Sequence, residues 1–476
     1  MQGPFALDER AWRTLEERCH RAVELARRDR SPAVAAVTVP LPAGLDLSAA
    51  VLAARRPADS YFCLEQPERG GFALAALGEA AAVRAHGEAR FREAARECTA
   101  IARRVLADDP ADDPKRPPGA GPLFVGGFAF AAQGGVTPEW SSLAPAQLVL
   151  PEVALARHEG EVRLTLCAQA EGDETPEVLM ERLDARLSEL RPSAMPLLDP
   201  DPLERARVAG AAPPEHYEEA VARAVERIRA GELSKIVLAR EVRVHAAREP
   251  EAGAVLYGLR AAFPACYCWC LGTPELAFVG ASPELLVRRE GARAQTVALA
   301  GTTRRSADPA VDAHLGEQLL RSPKDREEQQ IVAGRIERTL RPVSLWVAAA
   351  DEPVLVRVQN VQHLATPIRA QLVEPLSTLE LAGLLHPTPA VGGEPREVAE
   401  PLIPALEGFD RGWYAGAIGW TDLSEDGEFC VGLRCALLRE RVAHLYTGCG
   451  IVRDSVPAEE LAESEVKLQA LLPLLV

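Results

Sequence analysis

Strand-like and helix-like stretches do not alternate strictly along the second half of this 476-residue chain, and that order restricts its architecture most. A helix is predicted over 214–230, where Tyr217, Val221, Val225 and Ile228 recur at helical spacing and Gly231 can end it. A strand rich in β-branched residues follows at once, at 236–242. Further strands are expected at 276–279, 285–288, 428–438 and 444–452, and helices at 322–340, 395–406 and 458–472. A doubly wound parallel sheet needs regular alternation. The expected class is therefore α+β, with large, mostly antiparallel sheets.

Two Pro-rich stretches interrupt the chain. Residues 108–121 read as an exposed loop, and 191–202 separate two unlike halves, 1–200 and 201–476. That break need not be a true domain boundary, because sheets can exchange strands across it. The first half mixes Ala/Arg/Glu helices with short strands such as 122–130 and offers little obvious chemistry.

A charged fraction of 26% and a hydrophobic fraction of 47% are ordinary for a globular enzyme. The net charge of -16 argues against a nucleic-acid surface, which needs clustered Lys and Arg. No apolar run reaches the roughly 18 residues of a membrane helix, and the first residues lack the basic head and apolar stretch of a secretion signal. The expected compartment is the cytoplasm. None of the ten cysteines makes a Cys-x-x-Cys pair. Cys266, Cys268 and Cys270 alternate as one face of a strand does, and are expected to be buried thiols in a reducing compartment.

The chemistry is expected from charges set among apolar neighbours, where a lone charge costs several kcal/mol unless it finds a partner. Ser322 can cap the 322–340 helix, with Asp325 three residues on as a capping-box variant. Glu328 falls on that helix's apolar side with Ile331, Val332, Arg335 and Ile336, so it is a metal ligand or half of a buried pair with Arg335. Glu460, Glu463 and Lys467 share a face of the last helix. Glu463 and Lys467 can be an ordinary i,i+4 pair, or Glu463 can meet Glu328 in an oxygen-rich site suited to Mg²⁺. Lys235 enters a strand and is either a desolvated general base or a lysine snorkelling to water. Glu284 follows Ser-Pro and is either a partly buried acid with a raised pKa or a surface carboxylate. Arg434, among apolar strand residues, suits a carboxylate clamp. His363 and His386 have no metal-ligand spacing, and the glycines of Tyr446-Thr-Gly-Cys-Gly-Ile permit close approach of a ligand to backbone amides.

Ordered segments from about residue 205 to the C-terminus resemble the chorismate-utilising enzymes, and within that family the isochorismate synthases. They are Ser234-Lys-Ile-Val-Leu-Ala-Arg, Gly280-Ala-Ser-Pro-Glu-Leu-Leu, Leu299-Ala-Gly-Thr, Lys324-Asp-Arg-Glu-Glu, His363-Leu-Ala-Thr-Pro, Leu385-His-Pro-Thr-Pro-Ala, Ile418-Gly-Trp and Glu463-Ser-Glu-Val-Lys-Leu. Phe124-Val-Gly-Gly-Phe-Ala-Phe is similar to the amino-terminal region of the menaquinone-pathway members. The resemblance implies layered, mostly antiparallel sheets flanked by helices, with the site between them. It implies chorismate as substrate, Lys235 as the base that activates water for attack at C2, and Glu284 as the acid that protonates the departing C4 hydroxyl. Glu328 and Glu463 would hold Mg²⁺. Arg434, Lys467 and the backbone at Gly448 would bind substrate carboxylates, with His363 and Gly301 nearby.

Within the family, ammonia-using members usually lack the lysine found here at 235, which favours water as nucleophile. Ala300 stands where aminodeoxychorismate synthases often carry lysine. Ala390 stands where salicylate synthases tend to have threonine, which favours stopping at isochorismate. Leu64-Glu65-Gln66-Pro67 departs from the Leu-Glu-Ser of the amino-acid feedback motif, and Gln329 replaces a histidine common in relatives. The expected activity is a Mg²⁺-dependent isochorismate synthase of menaquinone synthesis, with no obligate protein partner. Its rivals are a siderophore-pathway isochorismate synthase, a salicylate synthase that also eliminates pyruvate, and a chorismate-binding regulatory subunit without turnover.

Overall fold

A strand that is apolar on both faces must be covered twice, and the computed structural model, which describes residues 3–113, 115–198 and 206–476, shows how. In strand Phe72–Leu77, Phe72, Leu74 and Ala76 enter one core while Ala73, Ala75 and Leu77 enter another. The same parity explains the cysteine alternation. Trp269 and Leu271 face the first core, and Cys266, Cys268 and Cys270 the second. All ten cysteines are buried and free.

Among the described residues two sheets form, of 13 and 10 strands. Neighbouring strands run antiparallel in both, apart from Ala33–Leu41 beside Val105–Leu106. The first core lies between the sheets, around Trp140, Trp269, Phe278, Trp413 and Phe429. The second lies on the outer face of the larger sheet, under helices Glu9–Asp29, Leu47–Ala54, Pro176–Glu189 and Ala252–Ala262. This is the layered α+β class expected.

Both sheets take strands from either side of residue 200. Tyr61–Gln66 pairs with Tyr267–Gly272 in the larger, and Leu123–Phe128 with Ala417–Asp422 in the smaller. Residues 191–198 carry no helix or strand, and 199–202 of the expected break lie outside the described residues. The 108–121 stretch is less free than a loop reading suggests. Asp108 accepts from Arg18 at 2.7 Å and from the Thr38 amide at 3.0 Å, and Asp113 accepts from Arg163 at 2.8 Å.

The second-half helices stand at Pro214–Arg229, Pro323–Leu340, Arg396–Glu407 and Pro457–Leu468. Gly231, just past the first, has φ +80°, and the Ser322 hydroxyl caps the second by accepting from the Asp325 amide at 3.3 Å. Strands lie at Lys235–His245, Ala277–Ser282, Leu285–Glu290 and Val442–Ile451.

The expected single strand at 428–438 is wrong. Gly427–Val431 belongs to the smaller sheet and Cys435–Arg439 to the larger, with a turn at 432–434 between them. The run reads as one strand because it is apolar throughout, but Gly432 packs so close to its surroundings that a Cβ would meet the Trp413 carbonyl at 2.8 Å. Arg434 leaves the turn at φ +48°. The neighbouring pair divides likewise: Ala277–Ser282 lies in the larger sheet, Leu285–Glu290 in the smaller, and Pro283 and Glu284 between them. Two adjacent strand pairs thus fork at one level.

Candidate active site

The fork opens into a cleft of about 910 Å³, including its mouth, lined by Glu284 and Arg434. Two backbone hydrogen bonds tie its base: Val431 N–H to Glu284 O at 3.0 Å and Ala281 N–H to Arg434 O at 3.1 Å. Glu284 is only 3% exposed, so the surface-carboxylate alternative does not hold. Burial lifts its carboxyl to about 8, against the opposing pull of Lys235 and Arg434.

Arg434 directs one guanidinium nitrogen, Nη2, at His363 Nε2, while its buried Nη1 has no partner among the described residues. Arg434 is therefore not an inward residue of a continuous strand; the left-handed turn aims it. His363 is held well below its ordinary pKa by burial, then by Arg434 and Lys467. A neutral ring that accepts at Nε2 carries its proton on Nδ1, which stands 3.2 Å from the Gly301 carbonyl and 3.1 Å from Thr302 Oγ1. Gly301 supplies that carbonyl from a bulge between Ala300 and Thr302, at φ +69°. Ala390 reaches the wall from the turn after His386, its amide donating to Thr388 Oγ1 at 3.3 Å.

The opposite wall is built by two helices. Pro323–Leu340 presents Lys324, Asp325 and Glu328; Pro457–Leu468 presents Glu460, Glu463 and Lys467. Lys467 Nζ lies 2.8 Å from Glu463 and donates to the Gly448 carbonyl at 2.9 Å. Burial works against its charge, but Cys449 and Glu463 hold its pKa above the ordinary range. The i,i+4 pair of Glu463 and Lys467 thus forms, but inside the cleft rather than on a surface. Gly448 pairs with Ala239, and a Cβ there would meet the Leu238 carbonyl at 2.6 Å.

Lys235 stands behind this wall. It is fully buried, which excludes the snorkelling alternative, and its Nζ lies 2.9 Å from Glu328 Oε1. The approach has ion-pair distance but not hydrogen-bond geometry, so Nζ keeps unspent donors among the described residues. The Glu328–Arg335 pair does not form; Arg335 turns to Glu394 at 3.6 Å. Gly450 makes room for the Lys235 pair, since a Cβ there would lie 2.1 Å from Glu328 Oε1 and 2.9 Å from Lys235 Cε. The other nine residues expected at the site, Glu284, Gly301, Glu328, His363, Ala390, Arg434, Gly448, Glu463 and Lys467, all line the cleft.

Acidic groups crowd the helical wall. Asp325 is raised by burial and by Glu328 and Glu463, and Glu460 by burial and by Glu463, although Lys324 pairs with Glu460 at 2.9 Å. A divalent cation relieves such crowding, and an oxygen-rich set suits a hard one. Cys449 Sγ, within 4.8 Å of ligand atoms of Glu460 and Glu463, is a poor rival: burial raises its thiol well above the usual range, and it donates to the Glu460 carbonyl. Asp325 and Glu460 were not among the expected site residues. Glu460's signal was the face it shares with Glu463, and Asp325's its place in Lys-Asp-Arg-Glu-Glu. Gln329, in place of the common histidine, bonds the Ala298 carbonyl and Thr366 Oγ1, both at 2.9 Å, and so fastens the helix to the smaller sheet.

Known proteins are similar to this chain in sequence and in fold. The salicylate biosynthesis isochorismate synthase of Pseudomonas aeruginosa is 37% identical over 408 residues, which cover 86% of this chain and 83% of the relative. Isochorismate synthase MenF of Bacillus subtilis is 33% identical over 74% of each chain. Among solved structures, the menaquinone-specific isochorismate synthase MenF of Escherichia coli superposes with a TM-score of 0.77 at 27% identity, covering 96% of this chain and 99% of its own. The model of the family described as "Chorismate binding enzyme" matches residues 18–476, which include the fork, both helices of the opposite wall and the strand of Lys235. Sequence and fold agree, and the chain belongs to the chorismate binding enzymes.

Proposed function

We propose that the protein is an isochorismate synthase, converting chorismate to isochorismate by adding water at C2 and releasing the C4 hydroxyl as water. The observation that carries this reading is Glu284, a buried carboxyl with its pKa lifted to about 8, in the same cleft as the unpartnered donor of Arg434. A carboxylic acid still protonated at neutral pH can give its proton to a leaving hydroxyl. Lys235, fully buried next to the cleft, is assigned as the base: as the neutral amine, its lone pair takes the proton of the attacking water. Arg434 and Lys467 bind the substrate's carboxylates. Ala390 supports release of isochorismate without pyruvate elimination.

Glu328 and Glu463 would hold Mg²⁺, with Asp325 and Glu460 beside them, and the crowding of these carboxylates supports that assignment. When bound, the ion neutralises a substrate carboxylate and orients the ring. We assign the product to menaquinone synthesis, supported by the end-to-end likeness to MenF. The buried free thiols support work in the cytoplasm; among the described residues no helix is long and apolar enough to cross a membrane.

Purified protein is mixed with chorismate and Mg²⁺ and the products are separated by chromatography. Isochorismate alone is expected. Salicylate with pyruvate would show a lyase step, and bound but unchanged chorismate would show a non-catalytic subunit. Lys235→Ala should abolish water addition while keeping chorismate binding; wild-type turnover by this variant would remove the base assignment. Glu328→Gln should shift the Mg²⁺ titration to higher concentration, and an unchanged titration would remove it as a ligand. Disrupting the gene in its host should deplete menaquinone; intact menaquinone with a lost siderophore or salicylate would reassign the pathway.

A further inference from the structure

Behind the cleft-lining residues Val237 and Val391 lies an ion pair whose own side chains do not line the cleft. Arg411 and Glu407 are both buried, 2.5 Å apart between Nη2 and Oε1 and 2.9 Å between Nε and Oε2. The cation's remaining bonds go to main-chain carbonyls: Nη1 to Val391 at 2.7 Å and Nη2 to Val237 at 2.9 Å. Glu407 Oε1 also accepts from the Ala239 amide at 2.6 Å. Val237 and Val391 line the cleft; Val237 is two residues past Lys235, and Val391 follows Ala390. The same two segments meet directly through Val237 N–H and the Gly392 carbonyl at 2.7 Å. Phe130 backs the guanidinium, 4.3 Å from its ring centroid.

A buried pair adds little to stability alone, because its desolvation offsets most of its attraction. Here it fixes two neighbouring backbone segments, one leading from Lys235 and the other from Ala390. We propose that Arg411 and Glu407 are positioning residues for the reaction: the pair sets the spacing between the strand that carries Lys235 and the turn that carries Ala390. It is a bracket, and neither residue is a catalytic residue. The proposal rests on the isochorismate synthase reading of the cleft.

The test uses the full chain with Arg411→Lys, which keeps the charge but loses the forked guanidinium, and Glu407→Gln, which keeps an acceptor for Ala239 but loses the charge. Phe130→Leu is a milder third variant that leaves every hydrogen-bonding group in place. Each is measured for kcat and KM with chorismate, for thermal unfolding, and for hydrogen exchange by mass spectrometry. Since a misplacement near 1 Å can cost on the order of 10²-fold, kcat should fall about tenfold or more in the first two and less in Phe130→Leu. KM should change by less than about threefold, because the substrate-binding cations are untouched. Exchange should accelerate at 235–239 and 388–392 and stay unchanged at the fork, 281–285 and 431–435.

Turnover per folded molecule within about twofold of wild type in any folded variant of the first two would overturn the proposal. So would exchange raised evenly across the chain, which marks a pair that only stabilises. Should both ion-pair variants fail to fold, Phe130→Leu decides alone: unchanged kcat and unchanged local exchange overturn it. A wild-type protein without turnover would instead refute the functional reading, while the exchange pattern would still report on the bracket.

Discussion

At the scale of single residues, the site depends on where charge is allowed to be neutral. Glu284 binds its proton more tightly folded than unfolded, with about 8 against an ordinary 4.5. Its contribution to stability is therefore full below about pH 4.5 and is lost as pH rises towards 8. The donor form follows the same boundary, so kcat should fall as pH rises through about 8. Glu284→Gln should lower kcat by roughly 10²–10⁴-fold and flatten the alkaline fall in stability, as read from chorismate turnover and urea titrations across pH. If the variant keeps the wild-type pH profile, another group is the acid. Gly450 offers a second residue-scale prediction. A methyl group there collides with Glu328 and Lys235 together. Gly450→Ala should cut kcat at least about tenfold while the protein stays folded by circular dichroism, and near-normal turnover would mean that the pair can move without cost.

At the scale of elements, helix Pro323–Leu340 carries three of the cleft's charged residues and depends on Ser322 for its start. Ser322→Ala should cost about 1 kcal/mol in denaturant unfolding and weaken the Mg²⁺ titration, because Lys324 and Asp325 lie in the freed turn. A variant as stable as wild type would show that the first turn holds without its cap. This helix was legible in the sequence because cap, first-turn proline and apolar periodicity agree. So was the covered strand at Lys235. The fork was not, because an apolar run through Phe429, Cys430, Val431, Leu433 and Cys435 gives the same pattern whether it stays in one sheet or passes between two. Glu460 was legible only through the face it shares with Glu463: acidic residues in a first helical turn are favourable anywhere, so its burial could not be read from its position alone. Glu407 and Arg411 have the spacing of an ordinary surface pair. Only their carbonyl partners, more than a hundred residues away in one case, reveal a different role.

At the scale of the whole molecule, the two sheets are held together by more than apolar contact. Glu428, on the smaller sheet, is 1% exposed and accepts from Arg288 of the same sheet and from Arg69 at 2.7 Å and 2.8 Å; Arg69 follows a strand of the larger sheet. Removing one partner of such a buried group leaves uncompensated charge. Glu428→Ala should therefore cost about 3–5 kcal/mol, with near-ultraviolet and far-ultraviolet signals unfolding together. A loss below about 1 kcal/mol would show that the sheets need no polar tie.

The fork gives the molecule a mechanical character. Helix Pro323–Leu340 packs on the smaller sheet and Pro457–Leu468 on the larger, so Glu328 and Glu463 ride on opposite jaws. Glu284 and Arg434 sit at the pivot, stapled to each other's strands by two backbone hydrogen bonds. The spacing of these two carboxylates is thus set by how the sheets pack on each other, whereas that of acid and guanidinium is set by local backbone bonds.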